Sequence, residues 1–169
     1  GAEAGEVASA LTIQTIATHV ENAWREQPVA EPSACENCLR AAIEAANAAI
    51  LAYAKEHPES AGLGATVVAA LLHEQQLTLA WVGDSRIYLW DRGLLQQMSR
   101  DHSLVARLVE IGQLSPAEAR THEHKNVLIR SLGSKDQVAV DVVSCPLRRG
   151  ARLLLCSDGL TGHVEDEAL

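Results

Sequence analysis

The spacing of apolar residues along the chain changes at Gly62-Leu63-Gly64. Before this point, apolar residues recur every three to four positions, with one step of five, in two sets from Val7 to Trp24 and from Leu39 to Tyr53. This period predicts two amphipathic helices, the first of which ends before Pro28. After the glycines, short runs rich in valine, leucine and threonine predict strands. Two helices followed by strands, without βαβ alternation, indicate an α+β domain.

Two hairpins are predicted in the middle of the chain, with their four strands antiparallel in a row. The second hairpin turns at Asp91-Arg92-Gly93, where glycine suits a positive φ. A helical segment is predicted at about 102–132, where Ser115-Pro116-Ala117-Glu118 has the residues of a capped helix start. The strand-like runs are 65–72, 77–82, 86–90, 94–98, 138–143 and 152–156.

The composition argues against several classes of function. The chain has 169 residues, of which 47% are apolar, enough for one core. Its 22 acidic and 14 basic residues give a formal net charge of -8, which disfavours binding to nucleic acid or to an anionic lipid surface. No apolar run reaches the roughly 18 residues of a membrane helix. We therefore expect a cytoplasmic protein that binds no nucleic acid and does not insert into a membrane.

Cys35-Glu36-Asn37-Cys38 has the Cys-x-x-Cys spacing of zinc and redox sites. A structural zinc ion needs four ligands, and the other two cysteines, Cys145 and Cys156, lie far away in separate apolar runs. We therefore interpret Cys35 and Cys38 as reduced thiols at a helix start.

Two aspartates, Asp84 and Asp158, follow short apolar strands. A carboxylate at the rim of an apolar core needs a partner. Two carboxylates that converge there would suit magnesium or manganese, which prefer a few carboxylate oxygens plus water. Each acid alone also fits a turn former that bonds its own backbone. Arg86 is a further alternative, as the ion-pair partner of Asp84.

Six short motifs extend over essentially the whole chain. They are Gly5-Glu6-Val7-Ala8-Ser9, Gly62-Leu63-Gly64-Ala65-Thr66, Val82-Gly83-Asp84-Ser85-Arg86-Ile87-Tyr88-Leu89, Arg100-Asp101-His102-Ser103, Asn126-Val127-Leu128-Ile129-Arg130-Ser131-Leu132-Gly133 and Leu154-Leu155-Cys156-Ser157-Asp158-Gly159-Leu160. The order and spacing of these motifs resemble those of bacterial metal-dependent protein serine/threonine phosphatases of the type 2C family. The resemblance implies an antiparallel β-sandwich flanked by helix pairs, an α-β-β-α arrangement, incomplete in this chain.

The resemblance also implies a metal site and an activity. By resemblance, Asp158 is a ligand of the first catalytic metal, and Asp84 shares a third ion with it. The implied cofactors are two or three Mg²⁺ or Mn²⁺ ions, and the implied reaction is hydrolysis of phosphoserine and phosphothreonine in proteins by a metal-activated water. No side chain is assigned as a catalytic nucleophile or base, and no residue is assigned to substrate binding. The implied partners are phosphoproteins, substrates of a bacterial serine/threonine kinase.

Residues 102–132 resemble the flap beside the active site of that family. Their helical pattern indicates a structural lid, whereas Lys125 and Arg130 are candidates for contacts with a phosphoprotein. His122 matches a histidine that is frequent in such flaps, while Glu123 and Lys125 replace the usual proline and arginine.

The family's pattern extends beyond both ends of this sequence. It includes an Asp-Gly pair before Gly1 and an Asp-Asn pair after Leu169, both with further metal ligands, and an early arginine that grips phosphate. We therefore expect residues 1–169 to form a single partial phosphatase domain with little activity alone. Open sheet edges would invite a truncation-driven dimer. The alternative functions are an inactive type 2C-like pseudophosphatase that binds phosphoproteins, and a structural domain whose acids only form turns.

Overall fold

The computed structural model describes residues 2–26, 31–60 and 62–169. Within these residues, two long helices precede six strands. The helices are α1, Ala2–Glu26, and α2, Pro32–Glu56. The strands are β1, Val67–His73; β2, Gln76–Val82; β3, Arg86–Asp91; β4, Leu94–Gln97; β5, Asp141–Pro146; and β6, Arg152–Cys156. Three shorter helices are α3, Leu104–Glu110; α4, Pro116–Thr121; and α5, Asp158–Thr161.

Both long helices lie where the apolar period predicts them. The last described residue of α1 is Glu26; Pro28, at which its end was predicted, lies outside the described residues. Proline at the first position of α2 is favourable, because its missing N–H would have no partner inside the helix. Cys35 and Cys38 are buried in the first turns of α2, and burial raises the pKa of both thiols. Of the described helices, none is long and apolar enough to cross a bilayer.

The six strands form two antiparallel sheets of three strands, in the orders β1-β2-β5 and β4-β3-β6. The β1 strand pairs with β2 so that Val67 lies opposite Val82, and β3 pairs with β6 so that Arg86 lies opposite Cys156. The expectation of four hairpin strands in one row is wrong, because the two hairpins belong to different sheets. The loop Gly83-Asp84-Ser85 carries the chain from one sheet to the other.

Strand β2 is buried on both faces, which explains its continuous apolar sequence. Ala80 and Val82 face a cluster that includes Ile43 of α2. Leu77, Leu79 and Trp81 face the second sheet, where Ile87 of β3 completes the cluster. Helices, first sheet and second sheet therefore form successive layers, which confirms the predicted α+β sandwich. Among the described residues, α2 packs on the three strands of the first sheet, and α1 packs against α2.

The segment 102–132, here called the flap segment, contains α3 and α4. Ser103 caps α3 by accepting from the Ala106 N–H, and Ser115 and Glu118 form the predicted capping box at the start of α4. The end of the segment is extended, with an isolated bridge between Ala65 and Leu132. The flap segment is therefore hydrogen-bonded to the body of the domain.

Asn47 joins α2 to the loop after the flap segment. Its side chain is 1% exposed, donates to the Lys135 carbonyl at 2.9 Å and accepts from the Gly133 N–H at 2.8 Å. Asn47→Ala leaves these partners unpaired, so we expect the free energy of unfolding to fall by about 2–4 kcal/mol. Urea denaturation measures the change. Glu44→Ala, on the exposed side of the same helix, is the control and should change it by less than about 0.5 kcal/mol; equal small effects would contradict the assignment.

Candidate metal site

A cleft of about 760 Å³ opens beside the loop that joins the two sheets. Its walls also include residues of α3 and α4 and several residues between Asp158 and Asp166. The acidic residues that line it are Asp84, Asp101, Asp158, Glu165 and Asp166. The basic residues that line it are Arg86, Arg100, Arg120 and Lys125. The two aspartates that follow strand ends in the sequence, Asp84 and Asp158, thus share one cleft.

Asp158 is the first residue of α5, where the chain turns out of β6. Its carboxylate is exposed, and its backbone carbonyl accepts from the Gly162 N–H at 2.7 Å. The short helix therefore fixes the backbone of Asp158 while its side chain stays accessible from the cleft.

Asp84 lies in the loop between β2 and β3 and is partly buried. Burial raises the pKa of its carboxyl group, and the negative charges of Asp158 and Asp101 raise it further. A hydrogen bond from its own backbone and the charge of Arg86 act in the opposite direction, but the net shift is upward. The ionised form of Asp84 is thus disfavoured by its surroundings, as expected for a carboxylate that a cation would stabilise.

Arg86 forms its close ion pair with Asp101. Its Nε lies 3.0 and 3.1 Å from the two carboxylate oxygens, and its Nη2 lies 2.8 Å from one of them. Its Nη1 donates to the Tyr88 hydroxyl at 3.0 Å, and that hydroxyl donates to Asp166 at 2.9 Å. The interpretation of Arg86 as the ion-pair partner of Asp84 is therefore wrong, because the guanidinium group is bound to other acceptors.

The Gly83-Asp84-Ser85 loop is held from two sides. The Thr66 and Ser85 hydroxyls lie 2.8 Å apart on one side. On the other side, the Gly83 N–H donates to His102 Nδ1 at 3.0 Å, and the His102 N–H donates to the Gly83 carbonyl at 2.9 Å. Gly83 has a φ of +111°, which a residue with a side chain rarely adopts. Asp84 is therefore presented by a fixed backbone.

His102 is 5% exposed and belongs to a wider network. Its Nε2 lies 3.2 Å from a carboxylate oxygen of Asp141 and 3.0 Å from Arg130 Nη1, which lies 2.6 Å from the other oxygen of Asp141. Burial lowers the pKa of His102, and the charge of Arg130 lowers it further, while the bond to Asp141 raises it. Sequence reasoning missed this role of His102; its place in the Arg100-Asp101-His102-Ser103 motif was the signal available.

The two flap-segment residues that are candidates for contacts with a phosphoprotein, Arg130 and Lys125, lie in different surroundings. Arg130 is bound to Asp141 and to the Ala139 carbonyl at 3.1 Å, so its guanidinium group is engaged inside the domain. Lys125 is exposed and lines the cleft. His122 and His124 have ring centroids 5.6 Å apart, and neither lines the described part of the cleft.

The donor set fits a hard cation with few protein ligands. Asp84 and Asp158 offer carboxylate oxygens, and Mg²⁺ is commonly bound through one or two carboxylates together with water and substrate phosphate. Nowhere in the described parts of the chain do three or more histidine, cysteine or acidic side chains lie together as a metal-binding group. The metal roles of Asp84 and Asp158 thus stay a prediction. These two carboxylates alone would not complete the coordination shell of a metal ion.

Replacing Asp84 by asparagine is expected to stabilise the metal-free protein near neutral pH. The raised pKa of Asp84 means that its ionised form costs folding free energy, and this cost is absent at acidic pH where both folded and unfolded states are protonated. Asp84→Asn should therefore raise the melting temperature by roughly 1–3 °C at neutral pH, with the difference vanishing towards about pH 3. Thermal melts across pH measure this. Glu44→Gln, at an exposed position, should give no such pH-dependent difference; the same curve for both variants would refute the account.

Comparison with known proteins gives a consistent result. The sequence profile of the protein phosphatase 2C family matches residues 2–112. The chain is 38% identical over 167 residues to the serine/threonine phosphatase stp of Listeria monocytogenes, covering 98% of this chain and 65% of that protein. The chain therefore spans slightly less than two thirds of this curated relative.

Solved structures show the same similarity. The serine/threonine phosphatase PstP/Ppp of Mycobacterium tuberculosis superposes with a TM-score of 0.84 at 37% identity, over 99% of this chain and 68% of that one. A structure of the catalytic domain of PstP that contains two manganese ions superposes with the same TM-score of 0.84 at 36% identity, over 99% of this chain and 66% of that one.

Proposed function

Because the chain belongs to the protein phosphatase 2C family, we propose that the whole protein hydrolyses phosphoserine and phosphothreonine in other proteins with Mg²⁺ or Mn²⁺. The observation that carries this proposal is the pair Asp84 and Asp158 in one cleft, with the pKa of Asp84 raised by burial and by the charge of Asp158. Two carboxylates that repel each other across a cleft are suited to share a cation.

In this proposal the residues of the chain have distinct tasks. When bound, the metal supplies a water of lowered pKa as the nucleophile and offsets charge on the phosphoryl oxygens. Asp158, on α5, and Asp84, on the fixed loop, hold oxygen ligands towards the cleft. Arg86 keeps the neighbouring carboxylate of Asp101 neutralised, so that Asp101 does not compete as a third free charge. Lys125, at the cleft, is the proposed contact for a phosphoprotein.

The cysteines support a mechanism without a thiol nucleophile. Burial raises the pKa of all four thiols, which lowers the thiolate fraction that a nucleophilic cysteine needs. None of the four belongs to the described lining of the cleft. Attack by water therefore suits this site better than a covalent phosphocysteine.

Metal removal tests the proposed reaction. The full-length gene product should release phosphate from a phosphothreonine peptide in the presence of Mn²⁺, lose this activity in excess EDTA and regain it when Mn²⁺ is restored. The unphosphorylated peptide with the same sequence is the blank. Turnover that persists in EDTA would overturn the proposed function.

Residues 1–169 alone are proposed to have little activity. The described residues supply two carboxylates, whereas even a group that only orients a metal ligand is worth about 10- to 100-fold in activity or metal affinity. We expect phosphate release by the 169-residue polypeptide to be at least about 100-fold slower than release by the full-length gene product. Equal rates would refute this.

A second candidate function is a pseudophosphatase that binds phosphoproteins without turnover. The observation that favours it is that no group of three or more metal-binding side chains occurs among the described residues. Binding of the phosphopeptide by the full-length gene product, with no phosphate released at saturating Mn²⁺, would support this function over hydrolysis.

The proposal extends to the cellular setting. We infer that the substrates are products of a bacterial serine/threonine kinase and that the protein acts in the cytoplasm.

A truncation-driven dimer of residues 1–169 alone is a separate proposal. Strand β6 has β3 as its described partner and Leu155 on it is exposed, so copies of this polypeptide could pair along this edge. Sedimentation velocity at increasing concentration tests it, and a monomer throughout would contradict it.

A further inference from the structure

We propose that His102 is a positioning residue that orients Asp84 for metal binding and links the flap segment to it. This inference rests on the proposed function, because Asp84 must bind a metal for its orientation to matter. His102 does not line the cleft, so its effect on a cation would pass through the backbone of the Gly83-Asp84 loop.

His102 satisfies both backbone groups of the residue before Asp84. The Gly83 N–H donates to Nδ1 of the ring at 3.0 Å, and the Gly83 carbonyl accepts from the His102 N–H at 2.9 Å. With both groups bound to one buried residue, the Gly83 backbone cannot rotate without breaking a buried hydrogen bond. The direction in which Asp84 leaves the loop is thereby set.

The far side of the ring fixes which nitrogen carries the proton. Nδ1 must be unprotonated to accept from the Gly83 N–H, so we assign the hydrogen of the neutral ring to Nε2. Nε2 lies 3.2 Å from Asp141 and 3.0 Å from Arg130 Nη1, and of these two neighbours only the carboxylate can accept. Arg130 holds Asp141 in place through a contact of 2.6 Å. This arrangement parallels the way in which a carboxylate orients a histidine that binds a metal, although here the ring holds a backbone N–H.

His102 also anchors the end of the flap segment. Its carbonyl accepts from the Ile129 N–H at 2.9 Å, and the adjacent Ser103 forms a bridge with Leu128. Arg130, which follows Ile129, completes the link by binding Asp141. A movement of residues 128–130 therefore acts on the same residue that holds Gly83, and metal binding at Asp84 and the position of the flap segment become coupled.

Three substitutions at His102 separate the contact of its ring with Gly83 from the contact of its ring with Asp141. In His102→Asn, the amide oxygen can take the place of Nδ1 and accept from Gly83, but the group cannot reach Asp141. His102→Gln extends towards Asp141 and loses the acceptor for Gly83. His102→Leu loses both bonds and keeps a buried side chain of similar size. All three should lower thermal stability, so stability alone does not test the proposal.

The discriminating readout is the affinity for Mn²⁺ of the folded full-length gene product, measured by electron paramagnetic resonance. We expect His102→Gln and His102→Leu to weaken binding by about 10- to 100-fold, and His102→Asn to stay within about threefold of the wild type. Hydrogen exchange at Gly83 to Ser85 should be accelerated in the Gln and Leu variants and nearly unchanged in the Asn variant. Equal losses in the Asn and Gln variants, or unchanged affinity in the Leu variant, would overturn the positioning role.

The link to the flap segment has its own variant. Ile129→Pro removes the N–H that bonds to the His102 carbonyl at an exposed position, and we expect it to weaken Mn²⁺ binding by about threefold or more through His102. Val127→Ala, also exposed, is the control and should leave binding unchanged. Unchanged affinity in Ile129→Pro would overturn the link. If the wild type binds Mn²⁺ and the variants bind it with equal affinity, only this inference fails. If the wild type binds no Mn²⁺, the proposed function fails as well.

Discussion

Replacing Gly83 by alanine is expected to lower the free energy of unfolding by about 3–5 kcal/mol. The added Cβ would lie 2.6 Å from Thr66 Cβ and in closer conflict with its methyl group, and 3.1 Å from the Thr66 backbone. The φ of +111° adds strain, because a side chain at this angle crowds its own backbone. Relief of the clash would shift the loop that carries Asp84.

Gly93→Ala is the matched control for this substitution. Gly93 also has a positive φ, +80°, but a Cβ there would meet nothing within 4 Å. Its cost should be the backbone strain alone, about 1–2 kcal/mol. Urea denaturation of both variants measures the difference, and an equal cost at the two glycines would show that Thr66 does not constrain the loop.

Replacing Asp158 by asparagine is expected to reduce phosphate release by the full-length gene product at least about 100-fold, equivalent to about 3 kcal/mol of transition-state stabilisation. Asparagine preserves the shape of the side chain at the start of α5 and removes the charge that a metal ligand supplies. The loss should appear in kcat, measured with a phosphothreonine peptide at several Mn²⁺ concentrations, and should be partly recovered as Mn²⁺ increases.

Glu165→Gln is the control for the loss of one negative charge from the cleft. Glu165 lines the same cleft and lies 3.8 Å from Arg120, and it has no assigned role in metal binding. The activity of Glu165→Gln should stay within about threefold of that of the wild type, since an exposed ion pair contributes little free energy. Comparable losses in Asp158→Asn and Glu165→Gln would mean that general cleft charge, and not ligation by Asp158, sets the activity.

The parts of the fold that the sequence predicts are those governed by local spacing. The period of three to four residues located α1 and α2, and short apolar runs located the strands. Both patterns are local, because burial of one face of a helix or strand sets which nearby positions are apolar. The same logic placed Asp84 and Asp158 at strand ends, and the structure brings both into one cleft. The family resemblance added the order of the layers, which no local pattern contains.

The parts that sequence reasoning missed depend on contacts between distant segments. Arg86 is two residues from Asp84 but bonds to Asp101, because the backbone after β4 brings that carboxylate beside it. The network of His102, Asp141 and Arg130 likewise joins three segments whose approach is set by the sheets and the flap segment. Side-chain spacing along one segment carries no information about such partners.

We infer that Asp84 and Asp158 together bind a divalent cation in the cleft. Isothermal titration with Mn²⁺ can be compared for the wild type, Asp158→Ala and Glu165→Ala. We expect similar affinity and heat for the wild type and Glu165→Ala, and a loss of at least about tenfold in affinity for Asp158→Ala. Equal heats from the wild type and Asp158→Ala would contradict it.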